Sequence, residues 1–411
     1  MARARRLAFV LIPALALTAG ATSTAAAPVT AEPVQIREAA RPAWMKDIDA
    51  AIGNRPVSVA VGANGKQWYG HLGWVGRPPA SNEKLLLSMA LYDRYAPWKT
   101  ILTEAEAPSK PGRRGVIHGN LWIVGHGDPE IDRPQIRYLA RAIVKAGVRS
   151  IRGSVIGSTG PFSRDWWAKG WKDYFPQDYV PMPTALTFRQ NTVNGVHIRD
   201  AERRAAIRLT GQLEKRGVTV RGKPRMDRPS GGLVRIAAIH SDHLRSVIRR
   251  MDLRSRNFYA EVLGKRIGFD ESGHGTIAAG ARAIDRFTDR HGQDFTLYDA
   301  SGLSYANRAT ANGILDLLWV AGDSPWGTIL RASLPMGGQG TLEGRFGSLA
   351  IRAKTGTLDD ASALSGWVRL KASGRWVEFS ILSSGFNEWT AKAIEDKIVR
   401  IVSTEAKDPT P

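Results

Sequence analysis

Three short groups of residues in this 411-residue chain have the types and spacing that serine chemistry needs. The first is Ser81 and Lys84, in PPASNEKLLLSMALY. After Ser81 this stretch is almost continuously apolar, so it reads as a helix buried on most sides. Residues i and i+3 share a helix face, so hydroxyl and amine can meet. A serine becomes an effective nucleophile when a neighbouring base takes its proton. A lysine is such a base once burial and nearby cations lower its pKa. With Ser81 as N-cap, Lys84 falls at the third helical position, where glutamate or glutamine would complete a capping box. A cation there opposes the helix dipole. A residue that breaks a local rule inside a well-formed element is a candidate for function.

The second group is Ser255 and Asn257, in DLRSRNFYAE. A second hydroxyl could relay a proton to a leaving group, and an amide could hold both the base and a substrate backbone. The third is Lys354, Thr355 and Gly356, in IRAKTGTLDDASALSGW, placed at the end of an alternating strand. A cation and a hydroxyl there could receive a substrate carboxylate. Gly356 lets substrate approach the backbone, and the N–H groups of Thr357 and Ser81 could form an oxyanion hole. Taken singly, each has a plain alternative: a helix cap and a snorkelling lysine, a polar turn, an edge strand guarded by a lysine. Their weight lies in occurring together and in order.

The elements that must position them follow from periodicity. PVSVAVGANGKQWYGHLGWVG reads as a hairpin turning at Asn64-Gly65. GVIHGNLWIVGHGDPEI is a strand entering a Gly-rich loop, and DRPQIRYLARAIVKAGV is a helix with Ile136, Leu139, Ala140, Ile143 and Val144 on one face and Gly147 as its stop. A weak echo of this helix-to-strand plan returns in AAIRLTGQLEKRGVTVRGKP. From about Val234 the chain reads as helical, through HSDHLRSVIRRMDLRSRNFYAEVLGKRIG and GTIAAGARAIDRFTDRHG. It ends in three strands, SLAIRAKTGT, ASALSGWVRL and WVEFSILSSG, and a helix with Ile394, Ile398, Ile401 and Val402 on one face. The expectation is an α+β fold. An antiparallel sheet flanked by helices spans residues 28–103 and 234–411, with an αβ region inserted at 104–233. All three motifs lie outside the insert, which implies a main segment able to do the chemistry alone.

Composition narrows the classes. The chain has no cysteine, so disulfides, thiolate clusters and cysteine nucleophiles are excluded. His240 and His243 have helical spacing but no third partner in sequence, so no metal is expected. No cofactor motif stands out. The thirteen tryptophans, among them Trp166 and Trp167, default to packing, with carbohydrate contact as the alternative. MARARR, then LAFVLIPALALTAG, then small residues ending in Ala25-Ala26-Ala27 read as a signal peptide over residues 1–27. Residues 28–45 read as an Ala/Pro-rich linker. The expectation is an exported protein, in the periplasm or at the outer face of the envelope. Net charge is +20, or +17 once Arg3, Arg5 and Arg6 leave with the signal. The basic residues are spread rather than clustered, which favours an anionic envelope surface over nucleic acid.

S-x-x-K, S-x-N and K-T-G together are the signature of penicillin-binding proteins and serine β-lactamases. Over nearly all of the mature chain the sequence resembles the D-alanyl-D-alanine carboxypeptidase/endopeptidases, the class C low-molecular-mass penicillin-binding proteins. PASNEKL, GNLWIVGHGDP, LTFRQNTVNGV, SRNFYAE, DASGLS, SLPMGGQGTL and AKTGTLDDASALSGWV carry the likeness. The resemblance implies a transpeptidase-like domain with an insert and no cofactor. It implies that Ser81 is acylated, Lys84 is its base and Ser255 is catalytic, and that Asn257, Lys354, Thr355, Gly356 and Thr357 bind substrate. The implied substrate is the stem peptide of peptidoglycan, with β-lactams as covalent inhibitors. Ser81 and Ser255 are 174 residues apart, a shorter gap than in the family's longer members. Arg256 stands where the family usually has aspartate, and His126 where glycine is common. Two other readings are a β-lactamase-like hydrolase and a catalytically weak wall-binding protein that keeps the fold.

Overall fold

A computed structural model describes residues 41–229 and 231–408. The expected signal peptide, and the linker up to residue 40, lie outside the described residues. Residues 43–45 of that expected linker already belong to a helix, Ala43–Ile52.

The main sheet has five strands, in the order Ile351–Leu358, Ala361–Arg369, Trp376–Ser384, Val57–Ala63, Lys66–His71, each antiparallel to its neighbour. Asn64 and Gly65 make the hairpin turn, both with positive φ (52° and 70°), the conformation that a tight two-residue turn requires. Val57–Ala63 is buried at every position because helices cover both sheet faces. On one face, Ala43–Ile52 and Glu388–Glu405 bring Ile48, Ile52, Ile398 and Val402 against Val59 and Ile381. On the other, Glu83–Arg94, Asn257–Ser272, Ile277–Arg290 and Ala311–Asp323 pack Leu86, Leu263, Ile284 and Leu318 into one core with Ala60 and Leu382. Among the described residues no helix is long and apolar enough to cross a membrane.

A second five-stranded sheet lies within the insert, in the order Arg225–Asp227, Val155–Ser158, Leu121–Gly125, Leu102–Ala107, Val234–His240. Its first two pairings are parallel and its last two antiparallel. Helices Arg133–Lys145 and Ala201–Glu214 bury Ile136, Leu139, Ile143, Leu209 and Leu213 in a common core. Val234–His240, expected to begin a helical return, is a strand paired to Leu102–Ala107. The sheet therefore starts before residue 104 and continues past residue 233. The weak internal echo has a structural counterpart. After each of the two helices a short strand follows, Ser150–Ile151 and Thr219–Val220, and these lie side by side in parallel. The next strands, Val155–Ser158 and Arg225–Asp227, do the same.

Candidate active site

Ser81 sits in a one-turn 3₁₀ segment, Ala80–Asn82, that runs into helix Glu83–Arg94. It is not the N-cap, as expected from sequence. Asn82 occupies that position in helical conformation (φ −63°, ψ −18°) and makes no capping bond; its Nδ2 donates to Ser365 Oγ on the sheet at 2.7 Å. The turn is held tightly. Ala80 has φ 47°. A Cβ on Gly302 would fall 1.9 Å from Ala80 O, and one on Gly356 would fall 2.7 Å from Pro79 O. Two neighbouring segments therefore press on the nucleophile's turn at positions where a side chain would clash.

Lys84, one turn on, is fully buried. Its Nζ lies 2.8 Å from Ser81 Oγ and 2.8 Å from Asn257 Oδ1, and it also donates to the Ser301 carbonyl. The carbonyl and the amide oxygen can only accept. A neutral amine has two N–H groups and one lone pair. With both N–H groups committed to those acceptors, the lone pair is left for the Ser81 hydroxyl proton. Burial lowers the Lys84 pKa to about 8, against the opposing pull of Asp299, Glu261 and Glu83. Burial also raises the pKa of Glu83 and of Glu261, and the Asp299 carboxylate reinforces both shifts.

Ser255 ends helix Leu244–Arg254 in the left-handed conformation, φ 51° and ψ 46°, a strained position for serine. The strain turns its hydroxyl to accept from Lys354 Nζ at 2.9 Å. Lys354 also donates to Thr355 O at 2.7 Å. Sequence placed Lys354 at a strand end and open to substrate. Instead it lies mid-strand in Ile351–Leu358 and is fully buried. Burial, then the Lys84 charge, push its pKa below the ordinary lysine range, and Asp252 opposes them. Strand alternation separates its neighbours. Lys354 pairs in register with Ser365, while Thr357 pairs with Ser362, which bonds Glu395 on helix Glu388–Glu405 at 2.6 Å. Ile351–Leu358 is an edge strand; Met336 bridges to Arg352 and Ala353 N donates to Pro335 O on its outer side, so the part of the edge left to receive an extended peptide begins at Thr355. A cleft of about 490 Å³ exposes Ser81, Ser255, Asn257, Thr355 and Thr357 together with Tyr179 and Leu303. The structure thus brings all the sequence-predicted residues together, with Lys84 and Lys354 beneath the cleft and Gly356 against the Ser81 turn.

Several contributors were not identified from sequence. Asp299 organises the loop that presents the Ser301 carbonyl. It accepts from the backbone N–H groups of Gly302 (3.1 Å), Leu303 (2.9 Å) and Ser304 (3.0 Å), and from Asn307 Nδ2 (2.8 Å). Trp171 Nε1, from the insert, donates to it at 2.6 Å. Glu261 fixes the same loop by accepting from Ala300 N and Ser301 N at 3.0 and 2.8 Å. Asn257 Nδ2 donates to Tyr179 O, also from the insert, at 3.3 Å. Asp299 and Ser301 lay in the DASGLS stretch and Glu261 in SRNFYAE, while Trp171 and Tyr179 had no sequence signal. Arg256 turns away from the cleft. It stacks 5.0 Å over the Tyr259 ring and bonds Gln190 Oε1 at 3.1 Å, tying the second motif to the insert. His126 bonds Glu104 at 2.6 Å within the insert. His240 bonds Thr100 Oγ1 at 2.8 Å, His243 stands at the N-cap of Leu244–Arg254, and no metal-binding cluster occurs among the described residues.

An α+β fold with a buried lysine against a serine, a second lysine–serine pair and an edge strand open from Thr355 defines a serine acyl-transfer enzyme of the penicillin-binding type. The family model of D-Ala-D-Ala carboxypeptidase 3 (S13) matches residues 48–202 and 190–405, and the chain belongs to this family of serine-type peptidases. It is 28% identical over 499 aligned residues to the D-alanyl-D-alanine carboxypeptidase of Actinomadura sp. (strain R39), covering 96% of this chain and 89% of that one. Penicillin-binding protein 4 of Haemophilus influenzae has the same fold, with a TM-score of 0.74 and 19% identity over 87% of this chain and 97% of that one. The same Haemophilus protein complexed with a β-lactam matches with a TM-score of 0.66 and 19% identity, over 86% of this chain and 97% of that one.

Proposed function

We propose that Ser81 cleaves D-Ala-D-Ala stem peptides of peptidoglycan through an acyl-enzyme, and that β-lactams acylate the same serine. The supporting observation is the Lys84 amine, whose two acceptor-only partners leave its lone pair for Ser81 Oγ. Lys84 takes the Ser81 proton as Oγ attacks the carbonyl carbon of the penultimate D-alanine. The N–H groups of Ser81 and Thr357 stabilise the oxyanion. Ser255, held by Lys354, relays the proton that Lys84 took on to the departing amine, so that D-alanine leaves and Lys84 is again the neutral base. Water, deprotonated by Lys84, then hydrolyses the ester. Thr355 and Thr357 receive the substrate carboxylate directly, with the Lys354 charge one layer behind. Asn257 holds the acyl backbone while its oxygen fixes Lys84. Mass spectrometry of the penicillin-treated protein, with digestion, should place the adduct on the Ser81 peptide. An adduct elsewhere, or none, removes this assignment. Hydrolysis rates on a D-Ala-D-Ala peptide and on penicillin separate it from a β-lactamase-like enzyme, and labelling itself separates it from a wall-binding scaffold.

The chain is read as exported, starting near Pro28, with a transpeptidase-like domain interrupted by an inserted αβ domain, expected over residues 104–233, whose sheet reaches out to Leu102 and His240. The surplus of basic residues suits an anionic envelope surface and not nucleic acid. N-terminal sequencing of the exported protein that returned Met1 would overturn the export reading. Salt-independent retention on anionic vesicles would overturn the electrostatic one.

A further inference from the structure

A second cleft, of about 540 Å³, opens at the end of the main sheet remote from the turn that follows Leu358. Trp319, on helix Ala311–Asp323, and Trp376, at the start of strand Trp376–Ser384, form its walls. Beneath them Trp367 and Glu378 are cross-strand partners, and the Trp367 indole donates to Glu378 Oε1 at 3.0 Å. Two buried polar atoms in these walls have no partner, Glu378 Oε2 and Trp319 Nε1. Such atoms cost stability unless something supplies the missing bond. Gly62 makes room for Trp319: a Cβ there would lie 2.8 Å from the indole ring. Arg331 stacks 5.1 Å over Trp376 and sets a planar group of N–H donors on that wall. The acids Asp323 and Glu378 balance the guanidiniums of Arg331 and Arg375 across the lining.

We infer that this cleft binds a saccharide, namely the glycan of the polymer whose stem peptides enter the catalytic cleft. Indole faces pack against the C–H faces of sugar rings, while carboxylate, guanidinium and indole N–H edges exchange hydrogen bonds with hydroxyl and amide groups. The balanced charge disfavours a polyanion, for which two carboxylates would be repulsive. An apolar peptide segment would supply no hydrogen bond to the unpartnered Glu378 Oε2 and Trp319 Nε1. The ligand's identity rests on the peptidoglycan reading, but the binding does not require catalysis at Ser81.

The test is calorimetric titration of tetra-N-acetylchitotetraose into the unmodified protein and into protein acylated by penicillin. The tetrasaccharide should bind both forms. Glu378→Gln and Trp319→Ala should each weaken it by about tenfold or more, the loss of one good polar or stacking contact, with the penicillin acylation rate held at the wild-type value to show an intact fold. Absence of binding to the unmodified protein, binding untouched by both substitutions, or preference for poly(glycerol phosphate) over the tetrasaccharide would each overturn the proposal. Loss of saccharide binding on acylation would place the sugar in the catalytic cleft and also overturn it. Failure of penicillin to acylate would count against the catalytic reading alone, because the titration of the unmodified protein is still interpretable.

Discussion

Lys84 and Lys354 are two buried amines, the Lys84 charge disfavouring one on Lys354, and in the proposed mechanism the substrate decides which keeps a proton. A carboxylate arriving beside Thr355 and Thr357 raises the proton affinity of the nearer Lys354. The charge that settles there further disfavours one on Lys84, which becomes free to act as base. Lys84→Ala should therefore cost acylation at least ~10²-fold while leaving the fold intact. Penicillin-binding kinetics at the wild-type rate would rule out the role. The pH dependence has a defined sign. The active amine is the neutral one, and its pKa is about 8. Acylation should rise with pH through that region and fall by roughly tenfold per unit below it. A flat stopped-flow profile between pH 6 and 9 would contradict the scheme. Lys354→Ala should reduce kcat/KM by about 10- to 150-fold for substrates bearing the carboxylate. An ester lacking that group should lose less, and equal losses would mean that Lys354 serves Ser255 or the fold rather than substrate charge.

At the level of elements, the catalytic geometry depends on how closely segments approach the Ser81 turn. Gly302 combines φ 78° with a vacant Cβ position 1.9 Å from Ala80 O. Gly302→Ala should cost on the order of 1–3 kcal/mol and slow acylation as well, because the same loop presents the Ser301 carbonyl to Lys84. Thermal denaturation and penicillin labelling read the two effects separately. Unchanged labelling would show that the turn tolerates displacement. This dependence also explains what sequence could reveal. Ser81 and Lys84 were legible because a helix converts spacing into proximity, and Lys354-Thr355-Gly356 because a strand separates two faces. Ser301 acts through a main-chain carbonyl, which no residue type announces, and Asp299 acts by ordering that carbonyl. The N-cap expectation for Ser81 failed because Ser81 already lies inside the 3₁₀ turn Ala80–Asn82, which leads in helical conformation into Glu83–Arg94. The strand at Val234–His240 was missed because its alternation is weak and its partner lies over a hundred residues back.

For the whole molecule, the motifs' absence from the insert suggested a main segment that acylates alone, and the contacts argue otherwise. Trp171 bonds Asp299, and Tyr179 bonds Asn257. Buried Lys265, on helix Asn257–Ser272, finds its acceptors in Ser163 O, Asp165 O and the Asp165 carboxylate. Excising residues 108–233 would strand that cation in a core and release the Asp299 loop. Fluorescent penicillin labelling of such a shortened chain should fail, and labelling near the wild-type level would show the insert to be a passenger. The antiparallel pairing of Leu102–Ala107 with Val234–His240 carries one more consequence, this time for how the chain reaches its native state. Paired strands lie about 5 Å apart, so a folded insert behaves as a short tether between the two halves of the main sheet. Before the insert forms, Val57–Ala63 must find Trp376–Ser384 across a longer loose loop, with the added closure entropy that length brings. Early zippering of the insert's sheet would shorten that loop by less than half, a gain of under about 0.6 kcal/mol, so an appendage of the catalytic domain would give its assembly a modest head start.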